Sequence, residues 1–270
     1  MRRIQSCALR RVGGRRYVAT AGGVEPIRRF FKNVTVKEFP ETGQAEILLD
    51  NRVLKTPAKK PLIMPTMTMA AAVAREWESV GDYIAPHKMP LMTLATTTID
   101  VIDEDPAATV GRVMAYLGSD SVCIREGRDG ELYDAVLIGK QQATEDEEWD
   151  VPLGWFEKQF DVKLAISRSL AIEKHSEADT EKVAEWVRSL SLWSLASLEV
   201  STANCKSLVL GACLLDGDLP VEKIRYLAML EEELQQNDWG MAEGDHDVSK
   251  AQMEMWLGAS RLFHKIATQG

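Results

Sequence analysis

The sequence predicts an α+β protein in which short strands come first and helices follow. Residues 33–66 carry short apolar runs, partly alternating with polar residues and broken by turn residues. From Thr66 onward, apolar residues recur at i, i+3, i+4 and i+7, the period of a helix with one buried face. Hydrophobic residues make up 45% and charged residues 27% of 270 positions, a soluble balance able to bury a sizeable core.

The elements follow in order. Val34, Val36 and, less cleanly, Phe39 mark one side of a first strand. "AEILLDNRVLKTP" reads as two strands joined at Asp50-Asn51, since both residues tolerate positive φ in a two-residue turn. "KKPLIMPT" is a further short apolar run bounded by prolines. Thr66 or Thr68 caps the next helix, whose Ala70, Val73, Ala74, Trp77 and Val80 form one stripe; Trp77 is expected in the core. The segment "MPLMTLATTTIDVI" lies between Pro90 and Pro106, and its threonines can bond back to helix carbonyls. A helix over 107–117 leads into "SDSVCIR", read as a strand; 131–143 reads as helix and "VKLAISRS" as a last strand. A domain junction is expected at Pro152, after the acidic run "EDEEWD".

Beyond it the pattern is helical. Val183, Trp186, Val187 and Leu190 make one stripe, and "LWSLASLEVSTANCKSLVLGACLLDGDLP" reads as two packed helices. The next helix starts at Pro220 or Val221, where proline is tolerated, and stops near Gly240. The last is expected over 248–266, with Ala251, Met255, Leu262, Phe263 and Ile266 on one side.

Charge is unevenly spread. Residues 1–32 hold nine Arg and Lys against the single acid Glu25. The remainder has 23 basic and 40 acidic residues, a net of −17. The Arg-rich, acid-free start up to Arg16, with Ile4, Leu9 and Val12 interspersed, has the composition of a mitochondrial transit peptide rather than a secretory signal. An acidic body repels phosphate backbones, which argues against nucleic-acid binding, and suits a basic partner surface. Cys7, Cys123, Cys205 and Cys213 form no CxxC pair; the last three read as small core residues. No stretch approaches the ~20 apolar residues of a membrane span.

Motifs for chemistry are sparse. There is no Gly-rich phosphate loop, GxGxxG or GxSxG, and Gly139-Lys140 lacks the rest of a P-loop. The densest polar cluster, "EGDHD" at 243–247, suits either a hard cation or an acidic start to the final helix, and lacks EF-hand spacing. The helix from Pro220 breaks its own rule. At ~100° per residue from Ile224, Glu231 and Gln235 fall inside the arc of Leu227, Leu234, Ala228 and Val221. A buried carboxylate is costly unless paired. This face therefore carries either an internal ion pair or a partner contact.

The blocks "LDNRVLKTPAKKPLIMPT", "AREWESV", "MPLMTLATTTID", "YLGSDSVCIRE", "EDEEWDVPLGWFEKQF", "KSLVLGACLLDG" and "LEEELQQNDWGMAEGDHD" occur in this order. Together they resemble the mitochondrial ATP synthase assembly factor 2 family over roughly residues 30–266. The sequence departs from the family at Thr96, where Asn is usual, and at Gln236, where an apolar residue is usual. The resemblance implies an α+β fold with a transit peptide and arm over 1–29. An N-terminal α+β domain with short strands over 30–150 would follow, then a C-terminal orthogonal helical bundle over 151–270. It implies a matrix chaperone, not an enzyme, that binds the unassembled α subunit of the F-type ATP synthase head, without cofactor or metal, and is monomeric when free. The partner-binding residues implied are Glu231, Glu232, Gln235, Trp239 and Asp247, within a block that also holds Gly240 and His246. The alternatives are a carboxylate- or metal-dependent hydrolase using "EGDHD", and a permanent subunit of a mitochondrial complex.

Overall fold

The computed structural model describes residues 27–125, 135–168, 172–239 and 245–269, with backbone alone at 135–142, 235–239 and 245–247. It opens on four antiparallel strands: β1 (Val34–Phe39), β2 (Gln44–Leu49), β3 (Arg52–Val53) and β4 (Ile63–Met64). β2 is central. β1 runs along one edge from Val34↔Leu49 to Phe39↔Gln44, while β3 and β4 share the other edge through Leu48↔Val53 and Ala45↔Met64. Alternation puts Ala45, Ile47 and Leu49 on the buried face, against α1 (Met67–Glu78). In the turn, Asp50 alone takes positive φ, 55°; Asn51 does not. The Asp50 carboxylate accepts the backbone N–H groups of Asn33 and Lys32 at 2.9 and 3.1 Å, and these bonds hold its pKa low.

Thr66 caps α1 by accepting the Met69 N–H at 3.2 Å, worth ~1 kcal/mol. The predicted stripe from Ala70 to Val80 is buried, Trp77 included. Glu76 reaches across and accepts the N–H groups of Leu91 and Met92, both at 2.8 Å. It thereby caps α2 (Pro90–Thr97), whose own N-cap residue makes no side-chain bond. Thr93, Thr96 and Thr98 bond back to the carbonyls of Met89, Met92 and Leu94. The helix then widens into a π turn over Thr98–Ile102. Lys60 donates to the Ile99 carbonyl at 3.0 Å and Asp100 accepts the Ala58 N–H at 3.0 Å, fastening the strand region to this turn.

After α3 (Pro106–Leu117), capped by Asp105, the expected strands are absent. "SDSVCIR" is a turn, and Ile124 makes only a single bridge to Ser167 in "VKLAISRS". The cause is Asp120, 1% exposed. Its carboxylate accepts the N–H groups of Val122 at 3.1 Å and Val209 at 3.0 Å, bending the chain over the start of the helix that begins at Leu208. Burial pushes its pKa up to about 6.

α4 (Ala135–Phe160) passes through Pro152 without a break, so the position expected to be a junction lies inside a helix. A proline there loses one helix bond. Packing offsets it: Trp149, Pro152, Leu153 and Phe156 form one buried stripe, and Trp149 Nε1 donates to the Leu227 carbonyl at 3.0 Å. The buried Arg125 also grips the helix, pairing with Asp146 and Asp150 at 2.7 Å each.

Then come α5 (Glu177–Ser189), α6 (Leu192–Cys205) and α7 (Leu208–Asp216), capped by Ser176, Ser191 and Ser207. Val183 and Val187 of α5 are buried, and Trp186 packs at 4.6 Å from the Phe160 ring. α8 (Val221–Ala228), α9 (Leu230–Trp239) and α10 (Asp245–Gln269) complete the chain. Buried residues from Phe31 to Phe263 form one cluster, and Cys123, Cys205 and Cys213 are free thiols within it or at its edge. α10 packs on α6, α2, α7 and α8, and the side read from the sequence is only partly the one that packs: Phe263 and Ile266 meet the core. Leu257, Ser260, Phe263 and His264 are buried, while Ala251 and Leu262 are exposed. The true inner side is partly polar: His264 Nε2 lies 3.1 Å from the Asp216 carboxylate.

Candidate functional site

The helix expected from Pro220 to Gly240 is two helices. At Met229 the backbone leaves the helical region (φ −113°, ψ 15°), and its N–H is shared by the carbonyls of Arg225 and Tyr226. Helical phase cannot be carried across that break. Ile224 and Leu227 enter the core from α8, and Met229 and Leu230 enter it afresh. Glu231 and Glu232 are then turned outward and exposed. Glu231 is therefore not enclosed in the apolar arc where single-helix phase places it.

The partly buried acid is Glu233, 23% exposed. It meets Arg225 of α8 at 3.2 Å and Lys250 of α10 at 3.1 Å, and Arg225 also approaches Glu254 of α10 at 3.8 Å. Lys223 pairs with Glu148 of α4 and lies 4.7 Å over the Tyr226 ring. Desolvation, then the Glu148 charge, raises the Tyr226 pKa. These links make a braced platform from which Glu231 and Glu232 project. Sequence phase missed Glu233 because its partners lie 8 and 17 positions away, on other helices. The backbone places Gln235 and Trp239 on α9 and Asp247 in the first turn of α10. The side chains of these three, with those of His246 and the rest of "EGDHD", lie outside the described residues, as does Gly240.

Among the described residues, no group of three or more His, Cys, Asp or Glu is placed to hold a metal ion. The strongly shifted groups are buried: Asp120, and the three thiols, which desolvation raises. A cleft of 490 Å³ is lined by Arg29, Lys32, Asp50 and Glu78, and one of 260 Å³ by Leu117, Ile172, His175 and Thr180. In each, a central polar side chain is engaged within the chain. Arg29 donates to the carbonyls of Phe31 and Val80. His175 accepts the Ala165 N–H at 3.1 Å on Nδ1, which leaves Nε2 to donate to the Leu117 carbonyl at 2.8 Å. The first turn of α9 presents two exposed acids, Glu231 and Glu232, and no helix among the described residues is long and apolar enough to cross a membrane.

Comparison with known proteins agrees with a binding role. A family model described as ATP12 chaperone protein matches residues 28–157. The mitochondrial protein atp12 of Schizosaccharomyces pombe is 27% identical over 247 residues, covering 88% of this chain and 82% of that one. The mitochondrial protein ATP12 of Saccharomyces cerevisiae is 25% identical over 266 residues, covering 83% and 79%. Among solved structures, Atp12 from Paracoccus denitrificans superposes with a TM-score of 0.78 at 26% identity, covering 88% of this chain and 97% of that chain. Atu1473 of Agrobacterium tumefaciens gives 0.79 at 28% identity, covering 88% and 85%.

Proposed function

Since the chain belongs to the ATP12 chaperone family, whose members are chaperones and not enzymes, we propose that it binds the unassembled α subunit of the F-type ATP synthase catalytic head and hands it on to assembly of the α/β hexamer. The observation that carries this reading is the braced platform of α8, α9 and α10. Glu233 ties the three helices together, and Glu231 and Glu232 face solvent on the first turn of α9. An acid fixed on a rigid base keeps its position without loss of side-chain packing, which suits recognition of a basic surface. A subunit destined for an oligomer exposes apolar surface before assembly, and covering that surface prevents aggregation. Release needs no nucleotide if the β subunit competes for the same surface.

The setting we propose is the mitochondrial matrix, with residues 1–29 serving as the transit peptide and arm. The functional test uses the chain from residue 30 onward with purified α and β subunits. The α subunit is expected to bind, and added β subunit to displace the chaperone. No binding to α, or a complex that survives completion of the hexamer, would overturn the proposal. The second result would make the chain a permanent subunit.

A further inference from the structure

Of the nine basic residues in the first 32 positions, Arg28, Arg29 and Lys32 belong to the described structure. They follow the six of the acid-free run after 11 positions without a basic residue. Residues 27–29 are bonded into the fold. The Arg29 N–H donates to the Asp82 carbonyl at 2.9 Å, and the Ile27 carbonyl accepts the Ile84 N–H at 2.8 Å. Arg28 forms an antiparallel bridge to Tyr83 between them, with its guanidinium 5.8 Å over that ring. The Arg29 guanidinium closes the end of α1. It donates to the carbonyls of Glu78, at 3.4 Å, and Val80. The last carbonyls of a helix lack intrahelical donors, and an arginine supplies them. Its other N–H groups reach the carbonyls of Phe31 at 3.2 Å and Lys32 at 3.3 Å. The same guanidinium lies 4.5 Å over the Phe31 ring, which is buried and meets Trp77 of α1 edge-on at 5.6 Å.

We infer that the presequence is removed at a bond after Arg16 and before Ile27, so that Arg29 stays in the mature protein as the clamp on α1. The inference rests on the targeting reading and divides the stretch 1–29. The arginines up to Arg16 are the address, whereas Arg28 and Arg29 are structure. The step is hydrolysis by a presequence protease. Water adds across one peptide C–N bond, leaving a carboxylate on the released piece and an α-ammonium on the retained chain. Two arguments set the limit. The tolerance of a truncation follows from the burial and hydrogen bonding of the backbone removed. A cut after Arg29 would take the donors from Glu78 and Val80, uncover Phe31 and strip 82–84 of its neighbour. A protease also needs its bond free of other partners, and pairing with 82–84 withdraws 27–29 from it unless the segment opens. The family match begins at residue 28, inside the clamp and not after it. Composition alone makes no such division, because all nine basic residues read alike.

The test imports the full-length chain into isolated mitochondria and reads the new N-terminus by mass spectrometry. It should fall from Tyr17 to Ile27. An N-terminus at Arg28 or beyond would overturn the inference and leave the targeting reading standing. An intact Met1 on the imported protein, or no import, would end both, and the chaperone reading would be untouched. Thermal melting of full-length variants tests the clamp itself. Arg29→Ala should lower Tm by at least ~4 °C and be imported as the parent is. Arg29→Lys keeps the charge but loses the fork that reaches several carbonyls, so it too should melt lower while importing normally. The combined Arg10→Ala, Arg11→Ala, Arg15→Ala and Arg16→Ala variant should do the opposite, melting as the parent does and importing several-fold more slowly. If Arg29→Ala and Arg29→Lys melt as the parent does, Arg29 clamps nothing and the limit on cleavage falls.

Discussion

Charge reversal on three consecutive glutamates of α9 should produce two different phenotypes. Glu233 meets Arg225 and Lys250 at 3.2 and 3.1 Å, with the three side chains 19–28% exposed. At an effective dielectric of ~20 each pair attracts by about 5 kcal/mol before desolvation. Desolvation and screening remove most of it, leaving a net between the ~0.5 kcal/mol of an exposed pair and the ~3–5 kcal/mol lost on breaking a buried one. Glu233→Lys should therefore destabilise by about 2–3 kcal/mol, placing three cations where one acid held two. At ~2–4 °C per kcal/mol, Tm should fall by roughly 4–12 °C. Glu231→Lys and Glu232→Lys change exposed carboxylates, so each should stay within about 1 kcal/mol of the parent. Those two should instead weaken binding of the α subunit by about 10-fold. The assay pairs calorimetric melting with titration of purified α subunit at a temperature where every variant is folded. If the Glu231 and Glu232 variants bind normally and melt normally, α9 is ordinary solvated surface and the site is wrongly placed. If Glu233→Lys melts unchanged, the platform argument fails.

The remaining predictions concern glycine, a buried carboxyl and the N-terminal arm. In Gly211→Ala the new Cβ would lie 2.5 Å from Thr202 Oγ1 and 3.2 Å from its backbone N, so α6 and α7 must part; a loss of roughly 1–3 kcal/mol is expected. Gly154→Ala, with nothing within 4 Å, should gain up to about 1 kcal/mol, and urea melts of the pair that shift in the same direction would contradict the packing. Burial raises the Asp120 pKa to about 6, so its contribution is fully present below its unfolded value near 3.8 and is lost as pH rises through 6. Stability of the parent relative to Asp120→Asn should accordingly fall between about pH 4 and 6, and parallel pH profiles would refute this. If residues 1–29 are a transit peptide, the N-terminus of the protein isolated from mitochondria should lie about 20 to 30 residues downstream of Met1; an intact Met1 would show otherwise.

The parts of the fold legible in the sequence are those decided within a few residues. The stripe of α1, the Thr66 cap and the back-bonded threonines of α2 each depend on neighbours three or four positions away. The misread parts depend on distant partners. "SDSVCIR" has the composition of a strand, yet Asp120 bends it, because its carboxylate is claimed by Val209 from 89 positions away. Pro152 looks like a boundary until Trp149 and Phe156 are seen to anchor its helix on both sides. In the candidate site the acidic block is visible as composition. Its geometry is not, since nothing local announces the break at Met229 or selects Glu233 over Glu231.

α10 is the most instructive case. An apolar count puts Ala251, Met255 and Leu262 on one side with Phe263 and Ile266; only the last two meet the core, because the face that packs also includes Ser260 and His264. Both features carry a cost, since each buried polar group needs a partner and each exposed apolar side chain forgoes burial worth ~25 cal/mol per Å². His264 is satisfied on one side by Asp216, while its Nδ1 and the Ser260 hydroxyl are buried without a partner. The helix thus carries unsatisfied polar atoms inside and unburied apolar surface outside. Rotating the helix to bury Leu262 and Met255 would expose Leu257 and Phe263 in their place, so the observed side is fixed by those two large residues together with the contact between His264 and Asp216, and the polar atoms they carry inward are the smaller cost.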